Sequence, residues 1–317
     1  MTDADEEANG SIIRTGDILG PDAFYGETTF GQGFLESLWR RHQARRGRLM
    51  RSLPQRLLRF IRPMVPATDV LTAMLHLPLV SVEAVTNARP LLVLAPHPDD
   101  ESLGCGGLIA ACCAAGHDVR VLVITDGAAS HTGSARYPPS RLAALRQSET
   151  AAAMAALGLP RDRLEFLGLP DGRAPLRGGK FREVVDRVAA FAAASGIGSI
   201  CTTWAHDPHR DHRAAHLLGR VAAQEVGARL LCYPVWGWTL PAYSWLPDEP
   251  VFGVRLDIAD HLAAKREAIF CHASQTSGLI GDDPNGFRLD PGFIALFERT
   301  FEVFVTDQQG SGRQEIS

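Results

Sequence analysis

The chain has 317 residues, of which 45% are hydrophobic and 21% are charged. This supplies enough apolar material for one α/β domain with a sizeable core, and it excludes a fibrous, collagen-like or wholly disordered protein. The six cysteines form neither a C-x-x-C pair nor the spacing of a small disulfide-bonded domain, so we predict free thiols in a reducing compartment. The acidic start has no apolar signal segment and no window is apolar enough to span a membrane, so we expect a soluble, cytoplasmic protein.

Residues 1–85 are predicted to form an N-terminal extension with a disordered start followed by arginine-rich amphipathic helices. Nine arginines and no Asp or Glu lie between residues 38 and 68, so the rest of a chain of net charge −4 carries −13. Three roles stay open for this arginine-rich arm (residues 39–62): peripheral contact with an anionic membrane, packing on the acidic body, or a contact between two copies in a homo-oligomer. We expect no nucleic-acid partner, because the acidic body would repel the phosphate backbone.

Strands and helices alternate from residue 86 to residue 306. Apolar runs predict strands and amphipathic or Ala-rich patterns predict the helices between them, in the order 91–95, helix 108–115, 119–125, helix 141–157, 164–167, helix 181–194, 198–202, helix 212–226 and 230–235. At this spacing the connections are right-handed β-α-β crossovers. We therefore predict a Rossmann-like three-layer α/β/α domain with a mostly parallel, doubly wound sheet over residues 86–306, and a flexible tail at 307–317. Active sites of such domains lie at the carboxyl ends of the strands.

The first polar cluster, His97-Pro-Asp-Asp-Glu101, begins two residues after the first predicted strand. It places one imidazole and three carboxylates in a turn stiffened by Pro96 and Pro98. Zinc binds neutral imidazole nitrogen and carboxylate oxygen, and a catalytic zinc site has three protein ligands with one position open for water. Standing alone, such a cluster is more often a hydrogen-bonded surface loop.

A second cluster, residues 204–212 with the sequence WAHDPHRDH, follows another predicted strand and runs into a helix. Loops at the ends of strands in one parallel sheet can converge over the same edge. Together the two clusters offer His97, Asp100 and His212 as three ligands of one divalent cation. They also leave two further titratable side chains close by for acid–base chemistry.

The two clusters resemble the motifs of the PIG-L/LmbE family of zinc-dependent N-deacetylases. The likeness covers about residues 90–305 and consists of the strand and loop 92–101, His209-x-Asp-His212, Arg146-x-x-Glu149, Leu169-Pro-Asp-Gly172 and Lys265…His272-x-Ser-Gln275. Arg210 departs from the pattern, because some members have proline there. The extension before residue 85 has no counterpart in the smaller members.

The resemblance implies a metal site. His97, Asp100 and His212 would be its ligands, with one Zn²⁺ per chain and another divalent metal as the alternative in the cell.

The resemblance also implies catalytic and substrate-binding roles. Asp99 would be the general base. His209 would polarise the carbonyl as an imidazolium, with Asp211 orienting or charging its ring. Arg146 and Asp171 would hold the sugar.

The predicted activity is hydrolysis of the N-acetyl group of an N-acetylglucosamine-type sugar or conjugate, a small-molecule partner, by metal-activated water with an Asp general base. One alternative is an amidase of the same family that cleaves a longer N-acyl or thiol conjugate. Another is a non-catalytic Rossmann-like nucleotide-binding protein. A nucleotide-binding protein needs a glycine-rich phosphate loop, and Gly104-Cys-Gly-Gly107 has the wrong spacing for one. It also needs an acidic residue to contact the ribose, and Asp126 is the candidate.

Aromatic residues crowd the predicted substrate loop at residues 236–248. They predict either a surface that binds sugar rings or a packed lid, and they are Trp236, Trp238, Tyr243 and Trp245.

Overall fold

A computed structural model describes residues 63–306 of the chain. The predicted disordered start, the arginine-rich arm and the predicted flexible tail lie outside the described residues. Within residues 63–306, no helix is both long and apolar enough to cross a membrane.

The strands of the described region form two sheets. Their bounds are β1 Met64–Pro66, β2 Leu79–Val80, β3 Leu91–Ala95, β4 Val119–Thr125, β5 Leu164–Leu169, β6 Ser199–Thr203, β7 Arg229–Tyr233, β8 Trp245–Pro247, β9 Gly253–Asp257 and β10 Phe301–Thr306. The larger sheet has the order β2-β9-β10-β7-β6-β3-β4-β5, and β1 pairs with β8. The five strands from β7 to β5 run parallel, whereas β10 is antiparallel to both β7 and β9. The prediction of a mostly parallel sheet is confirmed.

Helices cover both faces of the larger sheet. Their bounds are α1 Ala67–Leu75, α2 Val82–Thr86, α3 Asp100–Ala115, α4 Pro139–Ala156, α5 Gly178–Ala194, α6 Arg210–Val226, α7 Leu262–Cys271, α8 Ala273–Thr276 and α9 Pro291–Ala295. Short 3₁₀ segments lie at Arg161–Arg163, Trp236–Thr239 and Ala259–His261.

Strand β3 explains the layering. All five of its side chains are buried, and successive side chains along a strand point to opposite faces of the sheet. Leu91 and Val93 therefore join a cluster with α3, α4 and α7, while Leu92 and Leu94 join a cluster with α5 and α6. These two cores confirm the three-layer α/β/α prediction.

The glycines at the start of α3 are explained by close packing. A Cβ on Gly104 would lie 2.1 Å from Tyr233 Cδ2, and one on Gly107 would lie 2.5 Å from Ile258 Cγ2. Only glycine lets the helix approach the sheet this closely, so these residues need no phosphate ligand to account for them.

The segment 64–85, which the sequence analysis places in the N-terminal extension, pairs and packs with the elements of residues 86–306. β2 pairs in parallel with β9 of the main sheet, and β1 pairs with β8. Ala67, Val70 and Met74 of α1 are buried in one cluster with Trp204. The apolar residues of this segment are therefore part of the core that residues 86–306 build.

The fold brings the two polar clusters together. β3 and β6 are parallel neighbours, with Leu91 opposite Ser199 and Val93 opposite Cys201. The loop after β3 and the loop after β6 therefore leave the same edge of the sheet, and each leads directly into a helix.

Candidate active site

The loop after β3 is held in a strained conformation. Asp99 has φ 152° and ψ −27°, a region that non-glycine residues rarely adopt and that costs about 1–3 kcal/mol. Its amide donates to Glu101 Oε2 at 3.0 Å, and its carbonyl accepts from the amides of Ser102 at 3.0 Å and Leu103 at 2.9 Å. On the other side, Thr125 donates to Pro96 O through its amide and its hydroxyl. These bonds fix the positions of the side chains on the loop.

Three side-chain atoms of the predicted ligands form a small triangle. Asp100 Oδ2 lies 3.1 Å from His97 Nδ1 and 3.2 Å from His212 Nε2, and the two nitrogens lie 3.3 Å apart. Tetrahedral zinc has bonds of about 2.0–2.1 Å to nitrogen and oxygen, so its ligand atoms lie about 3.3–3.4 Å apart. The donor types and spacing of this triangle therefore fit a divalent cation.

The far nitrogens of both rings face carboxylates. His97 Nε2 lies 3.3 Å from Asp171 Oδ1 and 3.5 Å from Asp211 Oδ2, and His212 Nδ1 lies 3.4 Å from Asp207 Oδ1. These are ion-pair distances, and neither ring nitrogen is aligned in a hydrogen bond with the described residues. Carboxylates in this position commonly orient metal-binding histidines.

Charge compensation at this site shows in the pKa values. Burial opposes the protonation of His97, but the carboxylates of Asp100, Asp171 and Asp211 raise its pKa well above the ordinary value. Burial also opposes the charge on Asp100, but His212 and His97 hold the pKa of Asp100 well below its ordinary value. The centre is therefore built to hold positive charge.

Two other sets of side chains also come close enough to hold a cation. They are His97 with His209 and His212, and His97 with Asp171 and Asp211. We favour the triangle with Asp100, because its three atoms lie within 3.3 Å of one another.

Asp207 was not assigned a role from the sequence. It is fully buried, and its Oδ2 accepts from the amides of Val235 at 3.0 Å and Gly237 at 3.2 Å. These bonds fix its Oδ1 towards the ring of His212. Its position inside the second polar cluster, residues 204–212, is the sequence feature that could have indicated this contact with His212.

Asp99 is paired with Arg146. Arg146 Nη2 donates to Asp99 Oδ2 at 2.8 Å and to Pro98 O at 2.7 Å, and Nη1 donates to Gly127 O at 2.9 Å. Burial raises the pKa of Asp99 to about 6, against the lowering effect of Arg146. The sequence suggested that Arg146 holds the sugar; in the structure its guanidinium holds the side chain predicted as the base.

His209 is the N-cap of α6. Its Nδ1 accepts from the amide of Asp211 at 3.2 Å, so in the neutral ring the proton is on Nε2. Burial lowers the pKa of His209 to about 4, and the positive charges of His97 and His212 act in the same direction. The acceptor role of Nδ1 and the lowered pKa favour a neutral ring that can donate through Nε2 over the imidazolium expected from the sequence.

Asp211 contacts the ring of His209 through its backbone amide. Its carboxylate accepts from the amides of Gly172 at 2.7 Å and Ala174 at 3.2 Å and from Arg210 Nη1 at 3.0 Å. Asp211 thus joins the loop after β5 to α6.

Asp171 lies on that loop and lines the same cavity as His97. Its Oδ2 accepts from the amide of Ala129 at 3.0 Å. Burial opposes its charge, but the imidazole of His97, 3.3 Å away, lowers the pKa of Asp171 to about 2. It is a carboxylate with one oxygen towards His97 and one tied to the backbone.

Gln275 contributes an unpaired acceptor to the site. Ser274 Oγ donates to Glu149 Oε2 at 2.6 Å, so it accepts the 2.9 Å bond from Gln275 Nε2. A second bond joins Gln275 Nε2 to Ser130 Oγ at 3.3 Å. The carbonyl oxygen Oε1 is left buried and without a partner among residues 63–306. The sequence contained Gln275 in a motif but did not assign it a role.

A cavity of about 560 Å³ opens over these groups. It is lined by His97, Asp99, Asp100, Leu103, Ala129, Ser130, Arg146, Asp171, Gly172, Pro208, His209, Trp236, Gln275, Phe287 and Leu289. Of the four aromatic residues singled out in the sequence, Trp236 is the one in this lining. Trp238 lies under Arg299, and Tyr243 is 83% exposed.

The acidic residue that a nucleotide-binding protein would use has a structural role. Asp126 Oδ1 accepts from the amides of Ala128 at 3.0 Å and Asp171 at 3.1 Å. These bonds shape the turn after β4 and favour the hydrolase interpretation over a ribose contact.

Comparison with known proteins agrees with this geometry. A family model described as "PIG-L: GlcNAc-PI de-N-acetylase" matches residues 92–223, the segment that contains all eight predicted site residues. The 1D-myo-inositol 2-acetamido-2-deoxy-alpha-D-glucopyranoside deacetylase of Rhodococcus erythropolis is 28% identical over 188 residues, 51% of this chain and 62% of that protein. The enzyme of the same name from Mycolicibacterium gilvum is 27% identical over 272 residues, 71% of this chain and 93% of that protein.

A solved structure shares the fold. The N,N'-diacetylchitobiose deacetylase from Pyrococcus horikoshii is 24% identical and matches with a TM-score of 0.50, covering 70% of this chain and 85% of that chain. With the family match over residues 92–223 and the two relatives, the resemblance to the PIG-L/LmbE family of deacetylases noted in the sequence is confirmed.

Proposed function

We propose that the protein is a metal-dependent hydrolase that removes the acetyl group from an N-acetylglucosamine-type sugar or conjugate. The observation that carries the proposal is the triangle of His97 Nδ1, Asp100 Oδ2 and His212 Nε2, with sides of 3.1–3.3 Å. Zinc is the cation of first choice because two imidazoles and one carboxylate form a common catalytic zinc site. The relatives named above are deacetylases of acetamido sugars, which supports the same reaction here.

A divalent cation at the triangle would supply Lewis acidity to the acyl carbonyl and increase the nucleophilicity of water at neutral pH. Its charge would be balanced by Asp100. Asp171, Asp211 and Asp207 would hold the two histidine rings in the ligating tautomers.

Asp99 is the proposed general base. It lines the cavity next to the ligand Asp100, and Arg146 fixes its carboxylate. It would accept a proton from the attacking water and deliver it to the nitrogen of the leaving amine. Arg146 is therefore proposed to position the base, which differs from the sugar contact suggested by the sequence.

His209 is the proposed donor to the acyl oxygen. As negative charge develops there in the tetrahedral transition state, the Nε2–H of the neutral ring would donate to it. The bond from the amide of Asp211 keeps that proton on Nε2. Asp171 and the free Oε1 of Gln275 are proposed to accept from hydroxyl groups of the sugar.

The activity is tested by incubating the zinc-loaded protein with a panel of N-acetylglucosamine glycosides. We expect acetate and free amine to be released in equal amounts. The control is His97→Ala/His212→Ala, which removes two of the three ligands. Amine release by this variant at the wild-type rate, or no release by the wild type from any glycoside, would contradict the proposal.

The ligand set is tested separately by calorimetric titration of Zn²⁺ into the chelated protein. We expect Asp100→Ala to lose tight binding and His209→Ala to keep it. Asp171→Ala should weaken binding by about 10–100-fold, because it faces a ligand without being one. Tight binding by Asp100→Ala together with its loss in His209→Ala would instead assign the site to the three histidines.

A further inference from the structure

The cavity has an apolar wall that the reaction does not need. Leu103, Trp236, Phe287 and Leu289 line the cavity together with the catalytic carboxylates and histidines. Amide hydrolysis uses the polar groups alone. A volume of about 560 Å³ falls in the range of pockets that enclose drug-sized ligands, so the cavity has room for more than the reacting acetamide.

The apolar wall is a fixed surface. The amide of Phe287 donates to Ser130 O at 2.7 Å, and the amide of Leu289 donates to Gln275 O at 2.8 Å. The ring of Trp236 lies edge-on to Phe287 at 5.7 Å and stacks on Phe293 at 4.5 Å. Even so, Phe287 remains 40% exposed. An aromatic ring held rigidly at the mouth of a cavity, and only partly covered, is suited to an apolar ligand group.

The charges of the lining disfavour an anionic substrate. Arg146 is the one Lys or Arg in the lining within residues 63–306, and it is only 3% exposed. Its guanidinium nitrogens Nη1 and Nη2 are bonded to Asp99 and to two carbonyl oxygens. The other ordinarily charged groups of the lining are the carboxylates Asp99, Asp100 and Asp171. Apart from the proposed cation and the buried Nε of Arg146, the lining within residues 63–306 offers a phosphate or carboxylate no cationic partner.

Resting on the proposed metal-dependent hydrolysis of the sugar amide, with the acyl group no longer limited to acetyl, we infer that the substrate is an uncharged N-acylated amino sugar whose apolar substituent packs against Phe287 and Trp236. The substituent has two chemical sources: an aryl or alkyl group on the glycosidic oxygen, or a long acyl chain on the nitrogen. Both would remove the exposed face of Phe287 from water, and both lack the negative charge that the carboxylates would repel.

The test compares kcat/KM of the zinc-loaded full chain on four probes. Methyl N-acetyl-β-D-glucosaminide is the baseline. 4-Nitrophenyl N-acetyl-β-D-glucosaminide carries the apolar group on oxygen, methyl N-octanoyl-β-D-glucosaminide carries it on nitrogen, and N-acetylglucosamine 1-phosphate carries a negative charge. We expect at least one apolar probe to exceed the baseline by about tenfold or more, since burial of even one or two carbon groups has an effect of this size. The phosphate should fall below the baseline.

Phe287→Ala should reduce the ratio of kcat/KM for the better apolar probe to kcat/KM for the baseline probe by about tenfold, mainly through a higher KM for the apolar probe. Phe287→Leu, which keeps an apolar contact, should retain most of that ratio. The matched control is Phe270→Ala, an equally large change at a residue that is 53% exposed and outside the cavity lining; its ratio should not change.

The better apolar probe identifies the position of the substituent. The inference is overturned if the baseline or the phosphate is the best of the four, or if Phe287→Ala leaves the ratio unchanged. Failure of the enzyme to hydrolyse any probe, the baseline included, would instead overturn the proposed function.

Discussion

Asp99 combines an unusual backbone with a fixed side chain. Its φ of 152° is maintained by hydrogen bonds on both sides of the residue, and Arg146 holds its carboxylate at 2.8 Å. Strain of this kind persists where the surrounding structure over-determines the conformation. Here it places a carboxylate beside the metal triangle without making it a ligand.

Replacement of this carboxylate tests its role directly. Asp99→Asn keeps the size of the side chain but cannot accept a proton, so kcat should fall by about 10²–10⁴-fold while zinc content stays the same. Asp248→Asn, at an exposed position, is the control and should be fully active. Near-normal kcat of Asp99→Asn would place the base elsewhere.

The donor role of His209 makes a separate prediction. His209→Ala should lower kcat by about 10²–10³-fold, as loss of an oxyanion donor does, with bound zinc retained. His209→Gln supplies an amide N–H and should recover part of the loss. Both variants are compared by single-turnover kinetics and metal analysis. If the two are equally impaired and also lose zinc, His209 is a ligand and not a donor.

The meeting of single residues in one place could be predicted where their chemistry and the fold pointed to a shared site, whereas their roles stay proposals. His97, Asp100 and His212 follow from donor type and from the convergence of two strand-end loops. The direction of a side chain cannot be read in this way. The guanidinium of Arg146 turns to Asp99, and the carboxylate of Asp211 turns to the amides of Gly172 and Ala174, because contacts made far along the chain decide both orientations.

Among the elements, α3 is anchored to β10 by a buried carboxylate that also forms an ion pair with α7. Lys265 Nζ of α7 donates to Glu302 Oε1 at 2.7 Å. The same carboxylate accepts from the amides of Gly107 at 2.7 Å and Leu108 at 2.8 Å. Both charged side chains are only 2% exposed, so the helix that begins with the proposed metal ligand Asp100 depends on them for its position.

Removal of one partner of this pair should be costly. Lys265→Met leaves a buried carboxylate without its counter-charge, and we expect a loss of about 3–5 kcal/mol in the free energy of unfolding. Its neighbour offers the control: the pair of Arg266 with Glu298 has side chains 54% and 26% exposed, so Arg266→Met should cost only about 0–1 kcal/mol. Urea denaturation measures both. Equal losses of unfolding free energy in the two variants would show that the buried ion pair stabilises the fold no more than the exposed one.

The elements show where periodicity is informative. The five parallel strands are found within two residues of their predicted ends, because each is a short run of strand-forming residues between two helical patterns. The strands β1, β2, β8, β9 and β10 were not predicted. Those at residues 64–66, 79–80 and 245–247 are two or three residues long, too short to give a period, and the antiparallel pairing of β9 with β10 depends on partners 44 or more residues apart.

At the scale of the whole molecule, the basic arm and the acidic remainder of the chain differ in charge, and the role of the arm stays a prediction. The arginine-rich arm lies outside the described residues, and its membrane, packing and homo-oligomer roles are open. The structure does decide where an arm deletion should end. Removal of residues up to 85 would also delete β1, α1 and β2, whereas a chain beginning at Pro63 keeps the strand pairs and the buried residues of α1.

The central claim is that one divalent cation, held by His97, Asp100 and His212, is required for N-deacylation. The most direct measurement removes the metal with a chelator, verifies its absence by elemental analysis, and follows acetate release from an N-acetylglucosamine glycoside as Zn²⁺ is added back. We predict that turnover is almost lost in the metal-free chain and rises in proportion to added Zn²⁺ until one equivalent per chain is bound. Turnover of the verified metal-free chain at the rate of the untreated enzyme would contradict the account.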